Sequence, residues 1–349
     1  MRKIFLTITA TATLIAGTSG SAFAQDGPAF DFSRIGSPTG NHEADLQDVA
    51  VLPDGTIAIS GGMYSDDAPG GWQRIVWASA DEGETWTATP IDIEVVAALG
   101  DTFVGAGASP DFPEVQQSIV YTSPDGVSWE TALTLDDVAP NHELVPFADG
   151  IAFLAQDMNG GVWEEVLGHP TLWTSADASS WEAQEISGPL SPDAFASFYG
   201  LARANDGRLL FMGSADADSG GDGPPNRTFH VLTSADGVEW SEGVAPFPDS
   251  SDGGMKMVRF PHPTAAGFVS SVASEDPNDP TGIVLTTDGT DWELVADIPA
   301  PDLHLVSDGT QAVGFQIPVA VGEGGPPSLT EGAPVYSSAN GRTWESLGI

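Results

Sequence analysis

Ser79-Ala80-Asp81-Glu82-Gly83-Glu84-Thr85-Trp86 decides the fold of this chain, because five variants of it follow at a nearly constant interval. They are Ser123-Pro124-Asp125-Gly126-Val127-Ser128-Trp129, Ser175-Ala176-Asp177-Ala178-Ser179-Ser180-Trp181, Ser234-Ala235-Asp236-Gly237-Val238-Glu239-Trp240, Thr286-Thr287-Asp288-Gly289-Thr290-Asp291-Trp292 and Ser338-Ala339-Asn340-Gly341-Arg342-Thr343-Trp344. Successive tryptophans stand 43, 52, 59, 52 and 52 residues apart. A period of this size with a turn-plus-aromatic signature belongs to radial β-repeats, in which each unit is a four-stranded sheet that cannot bury its faces alone. Six copies predict an all-β, six-bladed β-propeller with four antiparallel strands per blade and the box between the third and fourth strands.

Each residue type in the box has a physical reason. The hydroxyl and the carboxylate, two positions apart, can accept hydrogen bonds from the backbone N–H groups of a tight turn. Gly supplies positive φ where the chain reverses, and Trp lays a large apolar body under the turn. The pattern resembles the Asp box, or bacterial neuraminidase repeat, of sialidase-like propellers, S-x-D-x-G-x-T-W, which residues 79–86 meet in full. Four later copies are one residue shorter, residues 175–181 have no Gly, and Asn340 replaces the Asp. In that family the boxes are structural and lie away from the active site, so the resemblance implies architecture rather than activity.

Residues 1–24 read as a signal peptide: Arg2 and Lys3 precede an apolar run, and Ala22-Phe23-Ala24 fits a small-residue cleavage site. The expectation is a secreted or periplasmic protein with no transmembrane anchor after cleavage. Residues 25–44 form a Gly/Pro-rich lead-in with Phe30 and Phe32 at strand spacing, either an extra strand or a loose tail, and residues 45–349 are the propeller. There is no Cys, so stability must come from packing rather than disulfides. The formal charge of −40 becomes −42 once Arg2 and Lys3 are removed. That balance excludes nucleic acid and anionic membrane as partners, both of which need clustered cations.

From Asp45 onward each repeat reads as an inner strand, a tight turn, a second strand, a long loop, a third strand, the box and a fourth strand. In the first blade these are 46–52, the turn Pro53-Asp54-Gly55, 56–61, the loop 62–71, 72–78, the box and 86–91. In an antiparallel meander the first turns and the boxes share one trimmed face of the disc, and the long loops share the other. Variable loops on a rigid scaffold usually carry function, which puts the glycan or protein ligand on the long-loop face near the axis. Those loops are acidic. Residues 215–222, with carboxylates at 216, 218 and 222, faintly follow a calcium loop but lack its distal bidentate Glu.

Aligning the inner strands on their turn glycines sets Asp48, Glu143 and Asp302 in one column, with Gly200 in the fourth blade, and Glu94 joins it if the second turn is Gly100-Asp101. Two alternatives stand for that column: oxygen ligands for Ca2+ around the axis, or solvated strand ends. His142 beside Glu143, His42 beside Glu43, and His304 near Asp302 are candidates for general base work or ligation. The sialidase resemblance implies an arginine triad, onto which Arg34, Arg203 and Arg259 fall in order. Gly36 stands where the family's Arg-Ile-Pro motif has Pro, and Tyr336, alone among the four tyrosines in following Arg259, sits in a third strand rather than at the axis. Trp72 and Trp163 lie outside the boxes in or beside long loops and suit sugar stacking or peptide contact, whereas Trp77 and Trp173, in third strands, read as core. Two functions remain open: an exported binding module for glycan or protein, stabilised by calcium, or a glycan-cleaving enzyme of the sialidase-like kind.

Overall fold

The computed structural model describes residues 44–64, 71–109, 117–139, 144–147, 150–157, 170–186, 195–217, 226–244, 256–258, 261–274, 282–295, 303–307, 312–316 and 335–348. Within them the chain forms six antiparallel sheets. The first blade is β1 (Ala44–Val51), β2 (Ile57–Tyr64), β3 (Trp72–Ser79) and β4 (Thr87–Pro90). The second is β5 (Val95–Leu99), β6 (Thr102–Ala108), β7 (Gln117–Ser123) and β8 (Glu130–Asp136). The third comprises β9 (Val138–Ala139), β10 (Leu144–Phe147), β11 (Gly150–Asp157), β12 (Pro170–Ser175) and β13 (Glu182–Glu185). The fourth is β14 (Phe195–Arg203), β15 (Leu209–Ala217), β16 (Asn226–Ser234) and β17 (Trp240–Glu242). The fifth comprises β18 (Lys256–Val258), β19 (His262–Thr264), β20 (Gly267–Ser274), β21 (Gly282–Thr286) and β22 (Trp292–Val295). The sixth is β23 (Leu303–Ser307), β24 (Ala312–Gln316), β25 (Val335–Ser338) and β26 (Glu345–Gly348).

Strand order follows chain order in every sheet, as a meander requires. Innermost strands of successive blades touch: β1 with β5, β5 with β10, β10 with β14, β14 with β19, and β19 with β23. This is the expected six-bladed β-propeller. The inner strands are also where regularity fails. β9 and β10 pair side by side with β11, and β18 and β19 with β20, so two blades have inner strands made of two pieces. Register shifts interrupt β1 between Leu46 and Asp48 and β14 at two places. Bulges of this kind re-aim side chains, and here they do so along the axis.

The six turns share one hydrogen-bond scheme. The box hydroxyls of Ser79, Ser123, Ser175, Ser234, Thr286 and Ser338 are all buried. They accept the glycine N–H at 2.8 Å in the boxes of Gly83, Gly126, Gly237 and Gly289. The carboxylate stays at the surface and accepts backbone N–H groups at the far side of the turn, as Asp125 does from Val127 (2.8 Å) and Ser128 (2.7 Å). Asn340 accepts from Arg342 and Thr343 at 2.9 Å each, so the geometry needs the acceptor oxygen and not the charge. The Trp indole N–H donates to the carbonyl three residues back in five boxes, at 2.9–3.1 Å. Trp292 is the exception: it donates to Val244 of the preceding blade at 2.6 Å.

The five later turns also seat themselves on the blade before them. A Cβ on Gly237 would stand 2.6 Å from Phe147, and one on Gly341 2.3 Å from Val269. The core is divided accordingly. One apolar cluster fills each seam between consecutive blades from the first to the sixth, and a further cluster of Ile57, Ile59, Ile75 and Trp77 covers the other face of the first blade.

Candidate functional site

β1 and β5 approach each other at the axis, and the seam between the first two blades carries a polar group at its long-loop end. The bulge in β1 turns Asp48 toward β5, where one carboxylate oxygen accepts the Val96 N–H at 3.0 Å while the other accepts the Val49 N–H at 2.8 Å. Asp48 is half-buried, and burial pushes its carboxyl up to about 6 against the pull of those two donors. Glu94, which precedes β5, forms an ion pair with Arg74 of β3, both side chains being largely covered at 19% and 25% exposure. Arg74 also donates to Gln47 at 3.0 Å, and the Ser60 hydroxyl donates to the Glu94 carbonyl at 2.6 Å. Asp92 lies close enough to feel the Arg74 charge, although burial dominates and raises its carboxyl. Burial, and then Asp92, raise the Tyr121 phenol.

Asp48 lies within β1, facing Ser60, whereas Glu94 immediately precedes β5, in which Val95 faces Ala106. Asp48 and Glu94 meet at one seam, but the Asp48 carboxylate is engaged by backbone donors and the Glu94 carboxylate by Arg74. Among the described residues no group of three or more His, Cys, Asp or Glu is placed to hold a metal ion. Glu143, Asp302, His42, His142, Trp163, Arg34 and Arg259 lie outside the described residues. His304 belongs to β23, opposite Phe315. Arg203 ends β14 with its guanidinium near the Gly207 turn, 3.4 Å from where a Cβ would stand, which is the trimmed end of the blade. Tyr336 packs into the seam of the fifth and sixth blades. Trp72 lies across Gly62 of β2, so close that a Cβ there would be 2.5 Å from the indole.

Arg74, Asp92 and Tyr121 were not legible as site residues. One signal pointed to the first: Arg74 is the only Lys or Arg between Arg34 and Arg203. Elsewhere on the molecule, His262 in β19 is half-buried, and burial pushes its imidazole down to about 4. A pocket of about 280 Å3 opens between the second and third blades, with Trp173 in its wall.

Fold and site define the class: a six-bladed β-propeller with an acid-rich axial seam. No protein-family model and no curated protein matches the sequence. Among solved structures it is similar to the GH93 α-L-arabinofuranosidase of Fusarium graminearum in complex with arabinobiose (15% identity, 81% of this chain and 91% of that one, TM-score 0.50). It is also similar to the β-propeller domain of the trilobed protease from Pyrococcus furiosus (11% identity, 88% and 83%, TM-score 0.50). The Pyrococcus horikoshii acylaminoacyl peptidase matches at 10% identity over 90% of this chain and 47% of its own length, with TM-score 0.52. At these identities the likeness establishes the fold, and chemistry must come from the site.

Proposed function

We propose that this chain is an exported, divergent member of the Asp-box, sialidase-like propellers that cleaves a neutral glycan at the axial end of the seam between its first two blades. The observation that carries this is the unequal carboxyl pair. Asp48 holds its proton up to a pH of about 6 while Glu94 is paired with the Arg74 guanidinium. Two acids in opposite electrostatic surroundings are the arrangement glycoside hydrolysis needs, one to protonate the leaving oxygen and one to act as base or nucleophile. Asp48 takes the acid role, and Glu94 the anionic one.

A neutral substrate follows from charge. A chain with a formal charge of −40 repels an anionic sugar on approach, and Arg203 stands at the trimmed end of its blade. The similar arabinofuranosidase was crystallised with arabinobiose, so α-L-arabinosides head the substrates to test. The proposed chemistry runs on the two carboxyl groups themselves, each held by protein donors, and calls on no calcium ion.

Turnover on a panel of neutral aryl glycosides and oligosaccharides, with a sialoside included, provides the test. Asp48→Asn and Glu94→Gln should each lower kcat by roughly 100-fold or more while leaving glycan binding in place. Glycan binding without turnover on any member of the panel would instead support the second function, a binding module, whose aromatic contact would be Trp72.

A further inference from the structure

The pocket between the second and third blades lies away from the carboxyl pair and has a different chemistry. Its lining is Asp136, Asp137, Val138, Ala155, Thr171 and Trp173. Asp136 closes β8, and Asp137 turns the chain with φ of 58°, a left-handed conformation that Asp tolerates better than most residues. Val138 opens β9, anchored by the Ser118 hydroxyl donating to its carbonyl at 3.2 Å. Ala155 and Thr171 face each other across β11 and β12, and Trp173, two residues on, projects from the same side of the sheet.

The pocket therefore has one aromatic side chain, Trp173, with Val138 and Thr171 beside it, and two adjacent exposed carboxylates at its rim. Asp136 has a neutral donor, the Gln117 amide, in place of a cation. Residues 75–202, which hold the whole of the second and third blades, contain no Lys or Arg.

We propose that this pocket binds a small organic cation of the alkylammonium type. An ammonium ion with an apolar shell matches Val138 and the Trp173 ring while its charge faces Asp136 and Asp137; an aromatic face beside carboxylates attracts such ions. A volume of about 280 Å3 is at the small end for ligand sites, which suits a single ammonium head and not an oligosaccharide. Inorganic cations gain nothing from the apolar walls, so the site distinguishes organic from inorganic monocations.

Titration calorimetry of the full chain with tetramethylammonium chloride, at ionic strength held constant with KCl, tests this. The expected result is saturable one-to-one binding. Asp136→Asn and Asp137→Asn, both exposed isosteric changes, should each weaken it by about 2- to 5-fold. Trp173→Leu should weaken it by about 3- to 30-fold. Absence of saturable heat against the K+ background overturns the proposal, as does binding that both Asn variants leave unchanged. Should Trp173→Leu fail to fold, the two Asn variants decide. None of these outcomes depends on whether the axial seam cleaves glycans.

Discussion

At the scale of single residues, the boxes show why one copy does without glycine. Ala178 adopts φ of 60° in the third box, and its side chain is buried in the seam of the second and third blades. The strain of left-handed Ala is offset there by packing, so Ala178→Gly should change stability by less than about 1 kcal/mol. Gly237→Ala meets both the positive φ of 76° and Phe147 at 2.6 Å, and should cost about 2–3 kcal/mol by urea denaturation. Two residues set opposed pH dependences. The folded Asp48 value of about 6 lies above the unfolded 3.8, so its contribution is full below pH 4 and lost as pH rises through 6. The folded His262 value of about 4 lies below 6.5, so its contribution is full above pH 6.5 and lost as pH falls toward 4. Each is worth at most about 3 kcal/mol, and between pH 4 and 6 they oppose each other. Melting temperatures at pH 7, 5.5 and 4 should therefore fall more steeply on acidification in Asp48→Asn than in the parent. In His262→Gln they should rise instead; identical profiles in all three proteins would refute both assignments.

At the scale of elements, four of the boxed turns have a buried hydroxyl holding the glycine N–H, and the surface acceptor holds backbone N–H groups at the far side of the turn. Removing the first leaves a buried donor unpaired, so Ser123→Ala should cost about 1–3 kcal/mol. Asn340→Asp should leave stability at pH 7 nearly unchanged, because the oxygen is kept. The box aspartates are held below their usual range, by the side-chain hydrogen bond from Thr85 first at Asp81 and by the backbone N–H of Ser128 first at Asp125. Their contribution is present above pH 4 and disappears only as pH falls below it, a window separate from that of Asp48. The hairpins and boxes were legible in the sequence because local chemistry dictates them: Gly55, Gly100, Gly207 and Gly267 take the positive φ their turns require. The split inner strands of the third and fifth blades were not, since a bulge depends on how the strand meets its neighbours at the axis.

At the scale of the whole molecule, six sheets packed face to face carry a formal charge of −40, and self-repulsion works against the compact state. Raising NaCl from 0.05 to about 1 M should raise the melting temperature through screening, and a fall would show that specific ion pairs such as Arg342–Glu293 outweigh the mean field. The sequence by itself determined the number of blades, the strand order and the two faces of the disc, because each rests on short-range rules of turn, alternation and repeat. Only the tertiary structure decided the surroundings of Asp48 and Glu94: β1 and β5 converge so that Asp48 accepts the Val96 N–H, Glu94 meets Arg74, and burial raises the Asp48 carboxyl. Trp173 reads as core from its strand alone and lines a pocket once Asp136 and Asp137 of the neighbouring blade stand beside it. The physical reason is the same in both cases. A side chain's charge state and access to solvent are set by residues distant in sequence, which the repeat brings within reach but does not specify.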